Sequence, residues 1–188
     1  VVEQYRHILN EGIKSGVIFV FASGNGGKKN EVDFPALIDK VFSVGAIDSA
    51  GRIASFSNKG QELDVVAPGV NVLGISHSNT GFISMSGTSQ ASPLVTSFIA
   101  CYMEHYKSIN NKFPSFDELY LDITKNNTKD LGNTGLDPAY GYGMVYPFFL
   151  NKPVEPIVCP GLDLSRAKEM VYDDLKNEIC RAIYKIIT

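Results

Sequence analysis

The run Ser86-Gly87-Thr88-Ser89-Gln90-Ala91-Ser92-Pro93 places hydroxyls among small residues directly ahead of a long apolar stretch. Small residues let a backbone turn tightly, and a proline suits the first turn of a helix, where its missing N–H costs nothing. Ser89 is therefore expected at a helix N-terminus. There the unpaired N–H groups and the positive end of the helix dipole favour negative charge developing on a bound oxygen. That is the setting of a nucleophile, although on its own a serine in this place is more often a helix cap.

The elements that must hold this segment can be read from apolar periodicity. Val2, Tyr5, Leu9 and Ile13 recur at near-helical spacing up to Gly16, and the six apolar residues from Val17 to Ala22 then read as a buried strand. Val41 to Ala46 and Leu63 to Ala67 read as two further Val-rich strands. Continuous rather than alternating apolar runs imply strands covered on both faces, so the fold class is α/β, with a parallel sheet between helices. Pro93 to Tyr106, with Leu94, Val95, Phe98, Ile99, Tyr102 and Met103, is expected to be a helix buried in the middle of the domain. Ser115-Phe116-Asp117-Glu118 has capping-box form and opens a surface helix to about Lys125. Loops rich in Asn and Gly follow, then a short strand around Tyr142 to Tyr146. The first domain is expected to end near residue 150. Pro153, Pro156 and Pro160 make 151 onward a connector, and the stripe Leu164, Ala167, Val171, Leu175, Ile179, Ala182 and Ile186 an amphipathic tail helix.

The serine segment resembles the Gly-Thr-Ser-x-Ala-x-Pro signature around the nucleophile of subtilases, the subtilisin-like serine proteases. Further landmarks agree in order and spacing. Ala22-Ser23-Gly24-Asn25 resembles the strand end that carries the oxyanion asparagine, and Phe34-Pro35-Ala36 the turn beyond the specificity pocket. Val44-Gly45-Ala46, Ala54-Ser55-Phe56-Ser57, Leu63-Asp64-Val65-Val66-Ala67-Pro68-Gly69 and Gly141-Tyr142-Gly143 continue the match. One short pattern would mean little, whereas the six ahead of Gly141, agreeing in order and spacing, do not arise by accident. The resemblance covers 1 to about 150 and leaves out 151–188. It implies the subtilisin-like three-layer fold without its N-terminal part.

The resemblance further implies that Ser89 attacks a peptide carbonyl to form an acyl-enzyme, with the Asn25 amide and the Ser89 N–H holding the oxyanion. Ala22, Ser23 and Gly24 would line the substrate. Asp33, before Phe34-Pro35, falls at a place resembling the pocket floor, where a carboxylate would favour Lys or Arg before the cut; the plainer reading is a solvated loop residue. Without the landmarks, Asn25-Gly26 reads equally as a turn. Glu62 and Asp64 resemble acidic residues that help bind a cation in some subtilases, and such oxygen ligands suit a structural Ca²⁺. No cofactor is required. Gln90 stands where the family usually has Met.

Subtilases order their triad Asp, His, Ser, with the first two ahead of the oxyanion strand. Here the histidines are His7, His77 and His105, and none sits in a His-Gly-Thr-His-like setting. The catalytic Asp and His are thus expected from a missing N-terminal half, and the isolated chain is expected to have negligible peptidase activity, since an unassisted serine hydroxyl is a poor nucleophile. The partners implied are that half and a peptide or protein substrate. The alternative is a non-catalytic, subtilase-derived binding module.

The 188 residues are 44% hydrophobic and 20% charged, ordinary for a soluble protein. A net charge of −3 without a dense Lys/Arg block speaks against nucleic-acid and anionic-membrane partners. The apolar runs are far shorter than the ~20 residues of a membrane span. Cys101, Cys159 and Cys180 form neither a disulfide framework nor a metal cluster. No Lys/Arg-led signal opens the chain, so the compartment stays open; the resemblance favours a secreted or cell-surface location.

Overall fold

The structure is a computed structural model that describes residues 2–77 and 81–148. The connector and tail helix expected over 151–188, with Cys159 and Cys180, lie outside the described residues.

A five-stranded sheet forms the middle layer. Its members are β1 (Val20–Ala22), β2 (Phe42–Ile47), β3 (Val65–Pro68), β6 (Thr128–Lys129) and β7 (Met144–Val145), in the order β1-β2-β3-β7-β6. All neighbours run parallel except β6, which pairs antiparallel with β7. The register Val20↔Phe42 and Val44↔Val65 sets the odd and even residues of each strand against different helices. On one face Val20, Phe42, Val44, Ala46, Val65 and Ala67 meet Ala91, Val95, Phe98, Ile99 and Tyr102 of α2 (Thr88–Asn110), and Leu119 and Ile123 of α3 (Phe116–Asn126). On the other face Phe19 and Phe21 join Leu9 of α1 (Val2–Lys14), Ile38 and Val41. The three-layer α/β architecture follows directly from strands that are apolar on both sides.

Several elements differ from the sequence expectation. The run Val17–Ala22 is strand only from Val20, and that strand is half-buried rather than buried. Among the described residues it lies at the end of the sheet, with one hydrogen-bonding neighbour. The central helix begins at Thr88, not Pro93, so Pro93 is its sixth residue and lies in the second turn. Nor is α2 buried all round. Pro93, Thr96, Ser97, Ala100 and Cys101 are exposed because the helix is an outer layer that presses only one stripe onto the sheet. The hairpin β4 (Val72–Ile75) and β5 (Phe82–Met85) was not anticipated, and it holds Leu73, Ile75, Phe82, Ile83 and Met85 exposed. The capping box is present as read: Ser115 Oγ accepts from the Glu118 N–H, and Glu118 Oε2 accepts from the Ser115 N–H at 2.8 Å. Among the described residues no helix is long and apolar enough to cross a membrane.

Candidate functional site

The chemistry-bearing segments meet at the C-terminal ends of the parallel strands, where open α/β sheets place their ligands. β1 runs out through Ser23 into Gly24 and Asn25. β3 runs out through Pro68 into Gly69, whose carbonyl accepts from the Gly87 N–H at 2.8 Å. This docking fixes the start of α2. A side chain on Gly69 would put its Cβ 2.6 Å from Ala46 Cβ and 2.7 Å from the Gly87 carbonyl oxygen, so the close approach demands glycine.

Asn25 and α2 are then joined by Thr88, which is fully buried. Asn25 Oδ1 accepts from the Thr88 N–H and from the Thr88 hydroxyl, each at 2.9 Å. The same hydroxyl accepts from the Gly24 N–H at 3.3 Å. A backbone N–H can only donate, so the atom facing it must be the amide oxygen, and this fixes Nδ2 on the outer side. An ideal Cβ built on Gly87 would lie 3.4 Å from Asn25 Nδ2 and 3.7 Å from Ser89 N. Two donors thus flank one small space beside Gly87. The Ser89 N–H belongs to the first turn of α2, whose amides have no acceptor within the helix. Both Ser89 and Asn25 are exposed. The arrangement can grip one oxygen between a side-chain amide and a backbone N–H, next to a solvent-facing hydroxyl. Gln90 turns its Oε1 against Gly87, on the same side.

The other anticipated residues fall around this centre. Gly24 has φ +104, and a Cβ there would overlap Asp33 Oδ2 and Asn58 Nδ2. Asp33 therefore packs against the α-carbon preceding Asn25, with a side chain 44% exposed, and its Oδ1 pairs with Lys28 Nζ at 3.0 Å. Hydrogen bonds to Asp33 first, and then to Glu31, hold the Lys28 ammonium above the usual lysine range. Ala22 is half-buried at the strand end. Ser23 is fully buried; its hydroxyl donates to the Asn58 carbonyl at 3.3 Å, its N–H to the Val44 carbonyl, and its carbonyl accepts from the Asp33 N–H. Its polar groups are turned into the protein.

Asp64 is engaged within the protein. Asp64 has one oxygen accepting from the Tyr120 hydroxyl at 2.5 Å and the other from the Ser43 N–H at 2.7 Å. Burial pushes its pKa up to about 6 against the opposing pull of those two donors. Glu62 is exposed on the other side of buried Leu63. Among the described residues no three His, Cys, Asp or Glu side chains converge as a metal cluster would require. The histidines lie at other points of the chain. His7 is on α1. His105 is sixteen residues along α2 from Ser89, about 24 Å at a helical rise. His77 lies beyond Ile75↔Phe82, at the far end of the hairpin from Ser86.

Two functional residues escaped the sequence reading. Thr88 was read only as part of the signature, yet it orients the amide. Asn58 follows Ala54-Ser55-Phe56-Ser57, a stretch read only as a landmark of the family resemblance. Its buried amide bonds to Ser23, Gly26 and Lys28 around Asn25, across 35, 32 and 30 residues, contacts that no local pattern discloses.

Comparison with known proteins places these features in context. A sequence model of the subtilase family matches residues 2–143. Subtilisin DY of Bacillus licheniformis is 40% identical over 108 residues, covering 56% of this chain and 39% of its own. The minor extracellular protease Epr of Bacillus subtilis is 34% identical over 137 residues, 73% of this chain and 20% of its own. The crystal structure of a lanthipeptide protease superposes with a TM-score of 0.68 at 25% identity, covering 77% of this chain and 53% of that one. The chain thus spans about a fifth to two fifths of these two curated relatives.

Proposed function

From the premise that this chain belongs to the subtilase family, we propose that it carries the nucleophile and oxyanion hole of a serine endopeptidase. The observation that supports the reading is the convergence of Asn25 Nδ2 and Ser89 N on one space beside the exposed Ser89. In this reading Ser89 Oγ adds to the scissile carbonyl as its proton passes to a histidine base. The carbonyl oxygen becomes an oxyanion held by the two donors. Collapse returns the proton to the leaving amine and leaves an acyl-enzyme, which water then hydrolyses. The base and its orienting aspartate come from a polypeptide segment outside these 188 residues, since His7, His77 and His105 sit elsewhere in the fold. The substrate is a peptide or protein, and action outside the cell accords with the extracellular protease among the relatives. A Lys or Arg side chain at Asp33 would share the carboxylate with Lys28, which weakens any basic preference.

Labelling with a fluorophosphonate probe tests the proposal, on the chain alone and combined with an upstream segment carrying Asp and His. Labelling is expected in the combined form and absent in its Ser89→Ala variant. Asn25→Ala is expected to slow it by about 10²–10³, a magnitude taken over from subtilisin itself. No labelling in either form would favour the binding module.

A further inference from the structure

Asn25 can serve as an oxyanion donor only if its loop keeps it where Thr88 can hold the amide, and the loop contains three glycines among residues 24–27. Such a segment has little intrinsic rigidity. We propose that Asn58 is the positioning residue that gives it one, acting as a buried template on which residues 23–28 are wrapped; this rests on the oxyanion reading of Asn25.

Asn58 is fully buried, an unusual place for an amide unless every polar atom is matched. Its Oδ1 accepts from the Gly26 N–H and from the Lys28 N–H, both at 3.0 Å, using both lone pairs. Its Nδ2 donates to the Ser23 carbonyl at 3.1 Å, and its backbone N–H donates to the Gly24 carbonyl at 3.0 Å. Its own carbonyl receives the Ser23 hydroxyl. One residue therefore touches the loop on both sides of Asn25, at Ser23 and Gly24 before it and at Gly26 and Lys28 after it. The side-chain amide imitates a neighbouring strand for a segment too irregular to pair with one. Gly24 and Gly26 permit this, because a Cβ on either would crowd the Asn58 amide, at 2.4 Å from Nδ2 and 3.3 Å from Oδ1. Two backbone bonds, Gly27 N–H to the Phe56 carbonyl and Lys59 N–H to the Lys28 carbonyl, tether the loop independently. Loss of the amide is thus expected to loosen the loop without detaching it.

The donor and acceptor roles are separable. In N58D the carboxylate can still accept from Gly26 and Lys28, but when ionised it presents oxygen to the Ser23 carbonyl. When protonated it can donate there and restore the set. The experiment is NMR on the 188-residue chain, following the Asn25 side-chain amide and hydrogen exchange at Gly26 and Lys28, with the Leu119 and Ile123 amides of α3 as an internal reference. Asn58→Ala is expected to move the Asn25 side-chain signals and to speed exchange at Gly26 and Lys28 about tenfold, with α3 protection unchanged. N58D is expected to match the parent at low pH and to depart from it as the new carboxyl ionises, relative to the parent at each pH. Unmoved Asn25 signals in a folded Asn58→Ala chain, or in a folded N58D chain at a pH where the new carboxyl is ionised, would overturn the proposal. So would loss of α3 protection by N58D at every pH, which would mark Asn58 as a general core residue. Neither readout uses catalysis, so failure here is distinct from failure of the labelling test.

Discussion

Thr88→Val replaces one hydroxyl with a methyl group of the same shape and so isolates the bond that aims Asn25. In the folded chain that hydroxyl gives its proton to Asn25 Oδ1 at 2.9 Å and takes one from Gly24 N at 3.3 Å, at a position with no exposure. Valine can do neither. Each lost hydrogen bond is worth about 0.5–1.5 kcal/mol net, and a buried donor left unmatched costs about 1–3 kcal/mol. Asn25 Oδ1 keeps the Thr88 N–H, so only part of the set is lost, and the expected destabilisation is about 2 kcal/mol. The amide of Asn25 then has one anchor instead of two. Weakening its hold by about 1 kcal/mol lowers the ratio of oriented to misoriented amide roughly fivefold, and phosphonylation of Ser89 in the reconstituted protein is expected to slow by up to that factor. Thr88→Ser keeps the hydroxyl and is the control. Urea denaturation followed by circular dichroism measures the stability, and timed fluorophosphonate labelling measures the second effect. If Thr88→Val matches Thr88→Ser in both, the hydroxyl does not orient the amide and the reasoning fails.

Gly69→Ala drives a Cβ into Ala46 and the Gly87 carbonyl, and overpacking of this kind is expected to cost about 1–3 kcal/mol and to displace Gly87; a chemical-shift map should show the change concentrated at 86–90. Asp64 binds its proton more tightly folded than unfolded, its pKa rising from 3.8 to about 6 through burial. Its stabilising contribution is therefore full below about pH 3.8 and lost as the pH rises through 6, about 3 kcal/mol across the window. Denaturation at pH 4 and pH 7 should show about 2 kcal/mol of that difference in the parent relative to Asp64→Asn, and parallel behaviour of the two would refute it. Ser115→Ala removes one half of the capping box and is expected to cost about 1 kcal/mol, read as faster hydrogen exchange in the first turn of α3. Glu118, the other half, is held down to about 2, chiefly by the Ser115 N–H and then by Lys112. Its contribution is thus present above the ordinary carboxylate range, and α3 should keep its cap until the pH falls toward 2.

What the sequence determined by itself is whatever depends on short-range pattern. The double-sided apolar runs at 41–46 and 63–67 dictated strands that helices must cover on both faces, and β2 and β3 are buried as that requires. Ser115 and Glu118, three residues apart, specified their own helix start. The order of landmarks from Asn25 to Ser89 identified which residues would meet. Tertiary structure decided the matters that depend on neighbours distant in the chain. The burial of β1 depends on how many strands flank it, and that of α2 on which layer it occupies; neither property is written in their own residues. The carboxylate of Asp64 accepts from the hydroxyl of Tyr120, 56 residues away, a partner that its own neighbours in the chain do not disclose. Asn25 is exposed and its loop is glycine-rich, so the orientation of its amide rests on Thr88, 63 residues away in the chain, which holds Oδ1. A hydrogen-bond donor becomes an oxyanion donor through where it points, and direction is a property of the packed chain.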